Sequence, residues 1–179
     1  MAGKPKRRRR AYLDDFVRDV SGQYVYRGCR YCFDRDERSA RMFRVRVGVL
    51  AVLTAVFVVL QECFDPVDMS RSYWTLIPWL FQVIAVSMTV WSAFRLLIHF
   101  RELRAYVYEA TVKRLPRLCW ASVAAAGVTL VAEIIYIVVC GAGDNALLTW
   151  VRPLSALFVA LAAFLLYCAV SRVRWREIV

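Results

Sequence analysis

Histidine is almost missing from this chain: its 179 residues include one, His99. That scarcity removes the side chain most suited to proton transfer near neutral pH, and with it most histidine-based metal sets. Glycine and proline are also sparse, at seven and five residues, so turns must be concentrated in a few places. The sequence holds no HExxH, no GxSxG and no glycine-rich phosphate loop, which leaves it without the usual hydrolase and nucleotide-binding signatures. Its 14 acidic residues are outnumbered by 25 Lys plus Arg. Asp14, Asp15, Asp34, Asp36 and Glu37 are interspersed with arginines and read as solvated pairs rather than a metal cluster. The expectation is a protein without catalysis and without a cofactor.

Apolar residues are what the chain has in excess. They make up 60% of it, against about 45–50% in soluble domains, and the mean hydropathy is +0.48. A net charge of +11 would ordinarily suggest nucleic acid, but the basic residues lie between long apolar runs instead of covering one soluble face. Nucleic acid is therefore not expected as a partner; a bilayer with anionic headgroups is. The first apolar run is preceded by some forty residues rich in charge. That order differs from a cleavable signal peptide, so the N-terminus is expected to be retained.

Crossing about 30 Å of hydrocarbon takes about 20 apolar residues in a helix. Four runs qualify, at about 47–63, 73–94, 118–140 and 150–170. Of the 25 Lys plus Arg, 23 fall in residues 1–46, 95–117 and 171–179, while the other two connections supply only Arg71 and Arg152. This alternation satisfies the positive-inside rule for four spans and predicts cytoplasmic N and C termini, most naturally in the plasma membrane. The expected fold is all-α, an integral membrane four-helix bundle of two antiparallel hairpins. Tyr73, Trp74 and Trp150 mark one set of span ends, and Trp91, Trp120, Tyr167 and Trp175 the other, as interfacial anchors. Small residues spaced four apart, such as Ser122/Ala126 and Ala156/Ala160, would let helices approach closely.

The basic segments carry patterns of their own. In residues 95–115, Leu96, Phe100, Leu103, Val107, Thr111 and Leu115 recur near helical spacing. They predict an amphipathic interfacial helix whose Arg101, Arg104, Lys113 and Arg114 meet lipid headgroups, ended by Pro116. In the N-terminal segment, 1–46, the basic run Lys4–Arg10 reads as a topological anchor or electrostatic tether. Tyr12, Leu13, Phe16, Val17 and Val20 then suggest a short amphipathic helix, and the stretch around Gly28 a small hairpin. Residues 171–179 form a basic cytoplasmic tail.

Three groups of residues could carry chemistry. Glu133 lies seven residues before Cys140, about 10 Å below the end of the third span. A charge at such depth costs about 2.5–3.5 kcal/mol, so Glu133 should face the interior, with Gln82 and Arg152 as partners. It then serves either as a structural lock or as the proton or cation site of a small oligomeric transporter or channel. Cys29 and Cys32 form a CxxC, a metal or redox candidate short of further ligands, with two ordinary thiols as the plainer alternative. Cys63 and Cys140 share the outer end, where they would form a disulfide if the first and third spans were adjacent, and remain small apolar residues otherwise. Together these features favour a non-enzymatic interaction or accessory subunit that works with a membrane protein partner or as a homo-oligomer. Transport through Glu133 and thiol or zinc chemistry at Cys29 and Cys32 are the alternatives.

Overall fold

The first long helix begins at Glu37, well ahead of the apolar run at Val47, because the intervening Arg38, Arg41, Arg44 and Arg46 all lie on solvent-facing positions that a helix tolerates. In the computed structural model, residues 16–18, 23–26, 29–33, 36–64, 71–100, 103–141, 146–173 and 175–178 are described. The chain runs β1 (Phe16–Arg18), β2 (Tyr24–Tyr26), β3 (Arg30–Phe33), α1 (Glu37–Cys63), α2 (Tyr73–Ile98), β4 (Leu103–Arg104), α3 (Ala105–Ala110), α4 (Leu115–Cys140), α5 (Ala146–Thr149), α6 (Val151–Ser171) and β5 (Trp175–Ile178). Helix dominates. Helices α1, α2, α4 and α6 are each long and apolar enough to cross a membrane.

Each long helix packs on two others: α1 on α2 and α6, and α4 on α2 and α6. The α2–α4 contact is more extensive than α1–α2, so the helices are not two self-contained hairpins. Helices α1 and α4 stand on a diagonal, and consequently Cys63 and Cys140 at their ends are separate, free and exposed thiols. Of the two alternatives read from the sequence, the structure has the separate thiols.

The inward seam of α1 is Phe43, Val47, Ala51, Thr54, Val58 and Gln61; that of α4 is Leu115, Cys119, Ser122, Ala126, Thr129, Glu133 and Ile137. Steps of three and four keep one stripe of each helix facing its neighbours. These stripes are rich in small and polar side chains, whereas Val, Leu, Ile, Phe and Trp crowd the exposed faces. That distribution inverts the order of a water-soluble protein.

At the end of the helices where β3 lies, a three-stranded antiparallel sheet has the order β4-β3-β5. Tyr31 stands opposite Leu103 and Glu177, and Phe33 opposite Trp175. This sheet joins the N-terminal segment, the α2–α4 connection and the C-terminal tail. Phe33 packs on Phe43, Phe100 and Trp175 at centroid distances of 5.4, 5.3 and 5.8 Å, and Tyr31 stacks on Tyr108 at 4.2 Å. Desolvation, reinforced by the nearby Glu177 carboxylate, raises the Tyr31 phenol above its ordinary value.

Four expectations from local pattern are corrected here. Residues 95–115 do not form one interfacial helix: α2 continues to Ile98, β4 is extended, α3 is short, and Pro116 sits in the first turn of α4 instead of ending a helix. The stripe Leu96, Phe100, Leu103, Val107, Thr111 and Leu115 is nonetheless buried throughout, against protein rather than lipid. Pairing of β4 with β3 overrides a helical preference that a short segment sustains poorly alone. Phe16–Arg18 is a strand paired with Tyr24–Tyr26 rather than part of a helix, as its aromatic and β-branched residues allow. The two arms of the hairpin expected around Gly28 pair elsewhere, β2 with β1 and β3 with β4 and β5. Lys4–Arg10, Tyr12, Leu13, Val20, Gly28 and Arg101 lie outside the described residues. Trp175, expected as an interfacial anchor, instead packs within the sheet-end aromatic cluster.

Candidate functional site

The seam register of α1 carries Gln61 inward at the same end of the helices where α6 begins with Val151 and Arg152. Arg152 is completely buried there. Its Nε donates to Glu133 Oε1 on α4 at 3.2 Å, and its Nη2 donates to Glu62 Oε1 on α1 at 3.0 Å. One guanidinium thus bridges the two diagonal helices that do not pack on one another. Its fork geometry suits the task, since it can hold carboxylates in two directions at once.

The helix dipoles explain why this cluster needs both acids. Arg152 is a cation at the N-terminus of α6, and Glu62 an anion near the C-terminus of α1, so each charge occupies the unfavourable end of its helix. Joining them offsets both terms. Glu133 supplies a second, fully buried carboxylate, so among the described residues Arg152 is held by two acids from two helices.

Beside the charges, Gln82 Nε2 on α2 donates to Gln61 Oε1 at 2.9 Å, and both residues are buried. Gln82 therefore belongs to the same polar interior as Glu133 and Arg152, but its partner is Gln61. Gln61 Nε2 and Gln82 Oε1 have no hydrogen-bond partner among the described residues. Closer to the sheet, the Thr89 and Ser122 hydroxyls share a hydrogen bond of 2.9 Å between α2 and α4. Thr54 and Thr129 satisfy their hydroxyls on the carbonyls of Leu50 and Ala125 in their own helices. The interior is thus a polar column that ties all four long helices together.

Gln82→Leu is expected to cost about 1–3 kcal/mol, because it strands the Gln61 amide without a partner. The double change Gln61→Leu/Gln82→Leu should recover most of that loss. Reversible unfolding in mild detergent measures both, and equal stability of the single and double variants would show that the amide pair contributes nothing.

The remaining sequence candidates lie outside this column. Cys29 and Cys32 are half-buried, with Cys32 in β3 and the Cys29 carbonyl accepting a hydrogen bond from the Ala105 N–H at 3.1 Å. Cys29 immediately precedes β3, and Cys32 is its third residue. No group of three or more His, Cys, Asp or Glu side chains is placed to hold a metal among the described residues. Lys113 pairs with Glu109 at 3.2 Å and lies over the Tyr108 ring, while Arg104 and Arg114 are exposed.

Glu62 and Gln61 were hidden by their position at the end of the first apolar run. Extending the seam from Val47, Ala51, Thr54 and Val58 by three residues reaches Gln61, and that register was the signal available. The chain matches no known family model, and no curated protein or solved structure is significantly similar to it.

Proposed function

We propose that the protein is an integral membrane four-helix bundle with cytoplasmic termini, resident in the plasma membrane, that acts without catalysis as an interaction or accessory subunit. The outward apolar faces and the one-sided distribution of Lys and Arg support the placement. The observation that carries the function is the sheet beside the basic helix ends. Strand β5 forms its outer edge, and the far side of β5 meets no other strand among the described residues. Such an edge offers backbone donors and acceptors to a strand from another chain. Three segments of the polypeptide are used to build this edge, and the charged column beneath holds the helices that present it.

Affinity purification in mild detergent with mass spectrometry tests the reading, run on wild type and on Glu133→Gln after matching expression. A stoichiometric partner retained by both is the expected result, and its loss on replacing Ile178 by Pro in β5 would locate the contact. A wild type that purifies only as itself would remove the accessory function.

A second reading rests on the partial exposure of the cluster. Glu62 keeps about a third of its side chain exposed (34%) while holding Arg152, so a proton or cation could enter the cluster from that side in a small oligomeric transporter or channel. Proton flux into liposomes that disappears in Glu133→Gln, with assembly unchanged, would establish transport in place of the accessory role. Thiol or zinc chemistry at Cys29 and Cys32 has less support, since no group of three or more His, Cys, Asp or Glu is placed to hold a metal among the described residues.

A further inference from the structure

Between the halves of α1 and α6 nearest the sheet lies a groove of about 800 Å³, within the range of ligand-holding clefts. Ser39, Arg46 and Arg172 line it at the sheet end, and Leu50, Phe164 and Leu165 line it farther along the helices. Arg46 to Leu50 is one helical turn, and Arg172 to Leu165 about two, so the polar and apolar linings are separated along the helix axes. Phe164 and Leu165 are 42% and 46% exposed, which leaves the groove open sideways. No Asp or Glu side chain lines it among the described residues, and neither arginine enters an ion pair among them.

We propose that this groove is a binding site for one anionic phospholipid of the cytoplasmic leaflet, with the headgroup phosphate between Arg46 and Arg172 and an acyl chain along Leu50, Phe164 and Leu165. The charge pattern selects the occupant: two guanidiniums with no compensating acid among the described residues call for an anion, and the apolar, laterally open walls call for a chain. A free phosphate would satisfy only the first requirement. A second copy of this chain would have to bring an acid and an apolar ridge together. The site differs from the headgroup contacts expected along residues 95–115, whose apolar stripe is buried in protein. It rests on the proposed membrane placement.

Native mass spectrometry of the full chain, released from detergent in the presence of phosphatidylglycerol or phosphatidylcholine, tests the site. One tightly retained phosphatidylglycerol per chain is expected, weakened about thirtyfold by Arg46→Ala/Arg172→Ala and unchanged by Arg117→Ala at the same end of the helices. Inorganic phosphate at millimolar concentration should not displace it. Equal retention of both lipids, an unaffected double variant, displacement by phosphate, or a lipid-free dimer seated through this groove would each overturn the proposal. Membrane extraction of the same samples separates the two readings: a chain that fractionates with the membrane but keeps no anionic lipid has lost the site and kept its placement.

Discussion

Arg152→Ala is expected to lower stability by about 3–5 kcal/mol, the largest effect of any single substitution in the protein. The size follows from what remains. Arg152 is buried between Glu133 at 3.2 Å and Glu62 at 3.0 Å, so its removal leaves two anions facing one another across the interior. Lost attraction is the smaller part, and uncompensated burial of charge the larger. A compensating triple variant, Arg152→Met with Glu62→Gln and Glu133→Gln, should recover most of the loss, because the three charges that face one another among the described residues are removed together. Glu133→Gln alone should cost less than Arg152→Ala, since Glu62 still holds the guanidinium. Thermal unfolding in mild detergent orders the four proteins. If Arg152→Ala is as stable as wild type, the cluster is not what secures α1, α4 and α6 to one another.

Labelling of Cys63 and Cys140 by a membrane-impermeant maleimide should be nearly complete in intact cells, while Cys29 and Cys32 should react only after permeabilisation. The expected contrast is close to all-or-none, because charged reagents do not cross the hydrocarbon layer. Cys63 and Cys140 are exposed and free in the structure, so on the proposed topology access is set by sidedness and not by packing. Single-cysteine variants keep each signal separate. Labelling of Cys63 only after permeabilisation would reverse the topology. Reaction of thiols at both ends in intact cells would remove the membrane placement itself.

The long helices were legible because their physical requirement is local. Twenty or so apolar residues between charged flanks announce a span, and the structure places helices over all four runs, with α1, α2 and α4 longer than the runs themselves. Glu133 and Arg152 were legible as partners because a charge in an apolar run has few ways of being satisfied. Gln61 and Glu62 were not, since at the end of a run they read equally well as solvent-facing residues. The segment 95–115 is the instructive case. Its spacing correctly singled out which side chains are buried, but the same spacing suits a helix end, a two-residue strand and a short helix in succession.

Composition and charge order alone therefore determined the number of long helices, their apolar outer faces and the end at which basic residues collect, because each depends on the contrast between one stretch of chain and its solvent. Only the tertiary structure decided that α2 packs more extensively on α4 than on α1, that Arg152 spans a diagonal, that Cys63 and Cys140 remain apart, and that β3, β4 and β5 meet in one sheet. Those outcomes join residues as distant in sequence as Arg30 and Ile178. Strand pairing and helix adjacency are choices among many surfaces of similar local character, settled when the chain satisfies its buried polar groups together.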